Sequence, residues 1–577
     1  MEGIQTTTKT RKMADFETTT TIPSRVWLAG IMNLDETEFI TFNNLDDFMN
    51  YIFSGVADEI YFHNAKFDTG AIIEWLLVRK YEFVLKFAGS KKKRAKQVSL
   101  AQTRTGAFYS LTIWIDEGAR KIQIKDSYKI LNQSVENIAL TFSQTERKGD
   151  IDYTKDRPEG YRPTKAEIDY IRRDCAIVAR ALAFYLKQSG RSTISAMASE
   201  TLFSFFEHGE KGFFAKFKRL TIEGDAFCRK AYYGGMVALG RFAKLYHGRG
   251  HTLDINSEYP YIMRNFKLPF GFPTPFESEE EFEKIPELLR RFYIAEVEVS
   301  AKLKPHKIPT IVLAFNVFTG NEYLVDTKYK IETLYLCSID IETLYRDYEV
   351  SSFKIKRGYA FMLGKIAEFE KFVDHYYKIK KDPANAYERQ HAKDLLNSTT
   401  GRFGLNPIRE VFGYVYDKTK QVRKLVKLGE KKTQPIAVYL SIAITAYGRQ
   451  LITSAPNSDR DIFNRLLYID TDSLHLIGSR RFTESKIPES KELGAFKTEH
   501  NFDECIYKGK KAYSLLCPEE SVNPISRFSG ISRKTLLGVK KISDLASNNL
   551  SFICPRVRKV SGGYIIEMKE LKKNYEK

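Results

Sequence analysis

Seven acidic residues and a short stripe of cations have the types and spacing needed for chemistry on phosphate esters. Asp470 and Asp472 lie in YIDTDS, Tyr468 to Ser473, between the apolar runs LLYI and LHLIG. Apolar runs broken by a short polar tip predict a β-hairpin. In extended backbone, residues i and i+2 share a face, so the two carboxylates can converge. Asp254, in LDINSEYP after a short β-type run, is a third acid to join them. Anions crowded at a strand end call for a cation. Hard divalent ions take oxygen ligands and share them with substrate phosphates. A lone D-x-D also suits a solvated turn, so the remaining acids carry the argument.

Those acids form a second group in the N-terminal third. ADFETTT puts Asp15 and Glu17 on one face of a predicted strand, and FHNAKFD supplies Asn64 and Asp68. Tyr170 and Asp174 are neighbours on the clearest predicted helix, 164–185. Thr164 and Glu167 cap that helix, and Ile168, Ile171, Cys175, Val178 and Leu182 form its apolar stripe. Four acids from three elements can hold two divalent ions about 4 Å apart, which suits phosphodiester hydrolysis. Tyr170 is placed to orient a water.

A third group is cationic. YERQHAKDLLNSTTG reads as a helix with Arg389, Lys393 and Asn397 on one stripe, ending near Gly401. Two cations on a helix face make a clamp for a triphosphate. Further on, KKAY supplies Lys511 and Tyr513.

The elements that position these groups are mixed. VWLAGIM, EIYFHN and FYSLTIWI read as strands, and AIIEWLLV as a helix or a buried strand. KKKRAK, residues 91–96, reads as a solvated loop. IPTIVLAF and GNEYLV read as strands and ETLYRDY as a helix; 405–434 reads as a basic hairpin with a KTKQ turn. A length of 577 residues predicts about three to five domains or subdomains. Lys and Arg exceed Asp and Glu by 91 to 72, a net +19, which points to a polyanionic partner. The six cysteines have no C-x-x-C spacing, which argues against a disulfide framework or cysteine zinc site and fits a reducing cytosol. No apolar run approaches a membrane span, and the polar N-terminus lacks a signal-peptide core.

In order along the chain, D-x-E, N-x-x-F-D and Y-x-x-x-D resemble the motifs of DnaQ-like proofreading exonucleases. D-x-x-S-x-Y-P, K-x-x-x-N-S-x-x-G, Y-x-D-T-D-S and K-x-Y then resemble motifs A, B, C and K-x-Y of B-family DNA polymerases. Within that family the chain is similar to the protein-primed replicative polymerases of small tailed bacteriophages. It shares their short length, the YYGG element (Tyr232, Gly234, Gly235), the KGDIDY segment, and T-A-Y-G-R with Thr445 and Arg449. Two extra segments resemble that subgroup's terminal-protein-region insertions.

The resemblance implies an α/β and α+β multidomain fold. An RNase H-like (DnaQ-like) exonuclease domain, 1–190, precedes a right-hand polymerase. Its palm is 191–265 and 435–535, its fingers 363–404 and its thumb 536–577, with insertions at 266–362 and 405–434. Asp254 and Asp472 are expected to hold the polymerisation metals, with Asp470 assisting. Arg389, Lys393 and Lys381 would neutralise the triphosphate, Asn397 would contact nucleotide or template, and Tyr259 would exclude a 2′-hydroxyl. Lys511 and Tyr513 would hold the primer, with Tyr232, Gly234, Gly235, Thr445 and Arg449 as further DNA contacts. Asp15, Glu17, Asp68 and Asp174 would bind the exonuclease metals, assisted by Tyr170 and Lys148. Thr18, Asn64, Phe67 and Ser127 would hold the single-stranded end, Phe67 by stacking on a base.

The implied cofactor is Mg2+, two ions per site, with Mn2+ as a substitute. The implied partners are template and primer DNA, dNTPs and a terminal protein, bound as a heterodimer at initiation in the host cytoplasm, with no membrane role. The second insertion implies processive, strand-displacing synthesis. Alternatives are a nucleic-acid-primed or linear-plasmid polymerase, a non-catalytic DNA-binding scaffold, or a reverse transcriptase, against which the nuclease motifs and D-T-D argue. Three positions depart from the pattern. Thr400 replaces a motif B tyrosine, Tyr128 replaces a leucine, and Glu258 replaces a motif A leucine, facing solvent or pairing with a base.

Overall fold

The computed structural model describes residues 9–85, 94–116, 120–240, 245–316, 320–382, 384–417, 419, 422–479 and 487–575. The polar N-terminal segment through residue 8, the start of KKKRAK and most of the KTKQ turn lie outside these residues.

The first sheet has eight strands in the order Phe39–Phe42, Val26–Asn33, Arg11–Thr18, Glu59–Phe62, Arg120–Asp126, Phe108–Ile115, Gln97–Gln102, Glu82–Phe83. Arg11–Thr18 pairs antiparallel with Val26–Asn33 and parallel with Glu59–Phe62, so its acids lie in the middle of the sheet. AIIEWLLV is helical, within Asp68–Val78. Lys165–Gln188 is the long helix, closed at its start by a capping box between Thr164 and Glu167. Its apolar stripe buries Ile171, Cys175, Val178 and Leu182 completely.

The second sheet has seven strands, ordered Ile525–Phe528, Ala512–Leu516, Phe496–Gly509, Tyr246–Ile255, Ser473–Ile477, Leu466–Asp470, Val237–Leu239. Chain segments more than 200 residues apart thus form one sheet. Between them lie a four-stranded sheet (Leu268–Phe276, Tyr348–Gly364, Phe292–Leu303, Glu332–Cys337), the helices Ala367–Lys381 and Ala386–Phe403, and the hairpin Ile408–Asp417/Val422–Lys432. A second hairpin, Asn549–Val560/Gly563–Asn574, comes near the C-terminal end. IPTIVLAF and GNEYLV contain the paired strands Val312–Asn316 and Gly320–Tyr323, and ETLYRDY lies largely in the helix Ser338–Asp347.

The motif B helix does not stop at Gly401. It runs to Phe403, whose ring stacks 5.9 Å from both Phe213 and Phe369. Burying that ring holds the last turn in place, and Gly404 follows as the cap. Among the described residues, no helix is long and apolar enough to cross a membrane.

Candidate active sites

The hairpin predicted for YIDTDS is Leu466–Asp470 paired with Ser473–Ile477, and Thr471 at its tip has φ of 61°. Ser473 is opposite Asp470 on one side and Asp254 on the other, so strand register brings the three acids to one sheet end. The Ile255 N–H donates to the Asp472 carbonyl at 2.8 Å. Gly235 of YYGG supports the tip: a Cβ there would sit 2.5 Å from Thr471 Cγ2, so only glycine allows this approach. Tyr232 is half-buried, and Gly234 is exposed.

Burial, and then Asp472, push Asp254 up to about 7, with Lys497 opposing at 3.6 Å. Asp472 is also raised, chiefly by burial. Asp470 forms an ion pair with Lys511 of K-x-Y. Tyr513 packs 5.4 Å from the Tyr468 ring.

Arg389, Lys393 and Asn397 form an exposed stripe on Ala386–Phe403. The structure adds Lys380 to this cluster, next to the expected Lys381. Lys380 donates to Ser257 Oγ at 2.5 Å and lies within the fields of Lys393, Lys497, Asp254 and Arg389. Burial first, then Lys393 and Lys497, push it down to about 8. Lys381 pairs with Glu492 at 3.0 Å, and both ammonium groups lie near the Tyr377 ring, Lys380 at 5.5 Å and Lys381 at 5.1 Å. Lys380 and Lys497 were both missed from sequence. The doubled KK was the only signal for the first; nothing local marks the second.

Several expected contacts do not reach the surface. Thr445 is buried and donates to the Ser441 carbonyl at 2.9 Å. Arg449 is 2% exposed, pairs with Asp340 at 2.7 Å and donates to the Tyr233 and Gly234 carbonyls at 3.0 and 3.1 Å. Neither is exposed to meet a DNA strand; Arg449 instead fixes the YYGG turn from behind. Thr400 is buried with its hydroxyl toward Met263. Glu258 neither faces solvent nor finds a base partner. It is 3% exposed, its Oε1 has no hydrogen-bond partner among the described residues, and burial with Asp472 and Asp254 raises it well above the carboxylate range. Tyr259 beside it is half-buried; a Cβ at Gly448 would lie 3.2 Å from its ring.

The second carboxylate group lines a cleft of about 500 Å³. Asp15 and Glu17 come from Arg11–Thr18, Asp68 from the first turn of its helix, and Asp174 from Lys165–Gln188. Burial and then Asp174 raise Asp15 to about 7. Burial and then Asp15 raise both Glu17 and Asp68 well above the usual range. Lys148 forms an ion pair with Asp174 and lies 3.2 Å from the Tyr170 hydroxyl. Tyr153, from KGDIDY, meets that hydroxyl at 3.2 Å and was missed from sequence. Thr18, Asn64 and Phe67 line the cleft. Ser127 does not: it is fully buried, donating to the Phe62 carbonyl at 3.1 Å and meeting His63 Nδ1 at 2.9 Å. His63 itself reaches the cleft and is pushed down to about 4 by burial. Ile565 and Ile566 of the C-terminal hairpin close the far side, which no local pattern foretold.

Both groups fit divalent cations by their donors. Each gathers carboxylate oxygens that repel one another, and Asp174 Oδ1 is buried without a hydrogen-bond partner among the described residues. A cation relieves both costs.

Residues 142–487 match the family model of type B DNA polymerases, organellar and viral. The DNA polymerase of Bacillus phage phi29 is 35% identical over 515 residues, 87% of this chain and 86% of the relative. The solved phi29 polymerase complexed with primer-template DNA and incoming nucleotide superposes with a TM-score of 0.86 at 28% identity. It covers 98% of this chain and all of that one. The phi29 polymerase complexed with single-stranded DNA gives 0.85, with the same identity and coverage. The chain belongs to the type B DNA polymerases, organellar and viral. It has the multidomain fold of the phi29 enzyme and is a DNA-directed DNA polymerase.

Proposed function

We propose that this polymerase copies a linear phage genome from a protein primer and proofreads at a second site. The observation that carries this reading is the pair of carboxylate clusters, built on two separate sheets. Asp254 and Asp472 would hold the polymerisation cations, and Asp15, Glu17, Asp68 and Asp174 those of the exonuclease. Bound Mg2+ supplies Lewis-acid stabilisation of charge on the attacking and leaving oxygens.

The side chains prepare each reaction. Lys380, Arg389 and Lys393 neutralise the triphosphate along one face, and Asn397 extends that face toward the base. Tyr259 packs under the sugar and leaves no room for a 2′-hydroxyl. Lys511, held by Asp470, steadies the primer end beside Tyr513. In the nuclease cleft, Lys148 and Tyr170 hold Asp174 and orient the attacking water. Thr18, Asn64 and Phe67 grip the frayed strand, which the phi29 complex with single-stranded DNA supports by analogy.

The subdomain reading follows the same likeness, with the nuclease at 1–190 and the palm, fingers and thumb after it. The segment 266–362 would seat a terminal protein, and 405–434 would close around DNA. Asp472→Ala should abolish primer extension and spare degradation of single strands; Asp15→Ala with Asp68→Ala should do the reverse. Loss of both activities in either folded variant overturns the two-site reading. Protein priming requires dAMP-type labelling of a small basic protein encoded beside this gene. Initiation only from nucleic-acid primers would favour the alternative.

A further inference from the structure

His500, Cys517 and Glu520 bring one nitrogen, one sulfur and one carboxylate ligand atom within 4.8 Å of one another. None of them belongs to either carboxylate cluster. The seven-stranded sheet makes the meeting. His500 lies on Phe496–Gly509, and its backbone N–H donates to Thr252 Oγ1 at 3.0 Å, two residues before Asp254. Cys517 directly follows Ala512–Leu516, the strand that carries Tyr513, and is fully buried. A tight turn after it, with Glu520 N–H donating to the Cys517 carbonyl at 3.0 Å, folds Glu520 back toward the thiol. His500 Nδ1 and Glu520 Oε2 are then 2.7 Å apart.

The electrostatics are those of a place that favours a cation. Burial, and then Glu520 and Asp503, push the Cys517 thiol up to about 12. A metal that takes the sulfur as thiolate must displace its proton, and the ion's charge offsets the burial and the two carboxylates that disfavour the anion. The donor set also selects the ion. Magnesium and calcium prefer all-oxygen shells, whereas one sulfur, one imidazole and one carboxylate suit a borderline-soft tetrahedral ion with solvent as fourth ligand. Glu520 is exposed, which leaves a path for entry.

We propose that His500, Cys517 and Glu520 form a binding site for one zinc-class divalent cation. It staples the strand beside Asp254 to the turn that follows the K-x-Y strand. The test uses the full chain, stripped with chelator, saturated with Mg2+ and then titrated with Co2+. A thiolate-to-cobalt charge-transfer band should saturate at one equivalent and be displaced by Zn2+; carboxylate clusters cannot produce that band. Cys517→Ser should remove it, and His500→Ala or Glu520→Gln should weaken Co2+ binding about tenfold or more. Absence of the band in the parent chain overturns the proposal, as does an undiminished band in Cys517→Ser or His500→Ala. Should Cys517→Ser fail to fold, the half-exposed His500 and exposed Glu520 variants decide the matter on their own.

Discussion

Arg423 and Glu74 form a fully enclosed ion pair at 2.8 Å, although 349 residues separate them in the chain. Arg423 belongs to the basic hairpin and Glu74 to the helix that begins at Asp68. The turn of the C-terminal hairpin completes the junction. Gly562 N–H donates to Glu74 at 2.7 Å, Arg423 donates to the Gly563 carbonyl at 2.9 Å, and the guanidinium lies 4.3 Å over the Tyr564 ring. Three regions remote in sequence therefore close on one charge pair.

Removing one partner strands the other charge in a buried site, at a cost of about 3–5 kcal/mol. Glu74→Ala should loosen the junction and shorten strand-displacement products while leaving short gap filling intact. Deleting residues 405–434 should abolish rolling-circle synthesis altogether. Product lengths on a primed circular template measure both. Undiminished long products in the deletion variant would exclude the hairpin as the closing element. Salt should weaken DNA binding steeply, given the +19 charge.

Lys380 and Lys381 should separate cleanly in nucleotide kinetics. Charge-assisted hydrogen bonds are worth about 1.5–3 kcal/mol, so Lys380→Ala should raise the dNTP KM roughly 10- to 100-fold. Lys381 is half-exposed in its pair with Glu492, and its loss should change KM by about twofold or less. Lys380 is held down to about 8. Its charge is lost as pH rises through that value, so KM should climb above pH 8. Lys380→Arg should flatten the climb, because guanidinium stays charged.

Much of this was legible in sequence, for a specific reason. Period-2 spacing placed Asp15 with Glu17 and Asp470 with Asp472, and the capping box set the start of Lys165–Gln188. What failed was facing. Val438–Ser458 is buried nearly all round in its first three turns, so no pattern showed that Thr445 and Arg449 turn inward. The place of Lys380 in its cluster and the Arg423–Glu74 contact depend on distant packing. The first showed only as the doubled KK, and the second leaves no local signature.

The acids of the N-terminal cleft should make metal-free stability fall with pH. Asp15 is raised to about 7, so between about pH 4 and 7 the folded chain keeps a proton that the unfolded chain has released. Stability then declines across that window. Asp15→Asn removes the effect and should stabilise the chelator-treated protein at pH 7.5 by on the order of 1–3 kcal/mol, and negligibly at pH 4. Saturating Mg2+ should narrow or reverse the difference if, as proposed, the four carboxylates hold the ion, since the variant would bind it more weakly. Thermal unfolding at both pH values, with and without Mg2+, measures this; a gain of equal size at pH 4 would rule out proton linkage.

Glu258 tests the same physics where no ligand role is assigned. Its carboxyl is enclosed, Oε1 has no hydrogen-bond partner among the described residues, and Asp472 and Asp254 both disfavour its ionisation. An acid in that position costs stability whichever form it takes. Ionised, it is an uncompensated buried charge; protonated, it holds its proton against neutral solution. A side chain of similar length without polar atoms avoids both costs. Glu258→Leu should therefore raise stability by about 1–3 kcal/mol at pH 7.5 and by less below pH 4, where solution no longer draws off the proton. Glu258→Gln should give a smaller gain, because it removes the charge but keeps the unpaired polar atoms. Urea unfolding of the two variants distinguishes the contributions. If Glu258→Leu instead destabilises, the carboxyl has a partner in solution and is not an uncompensated buried acid.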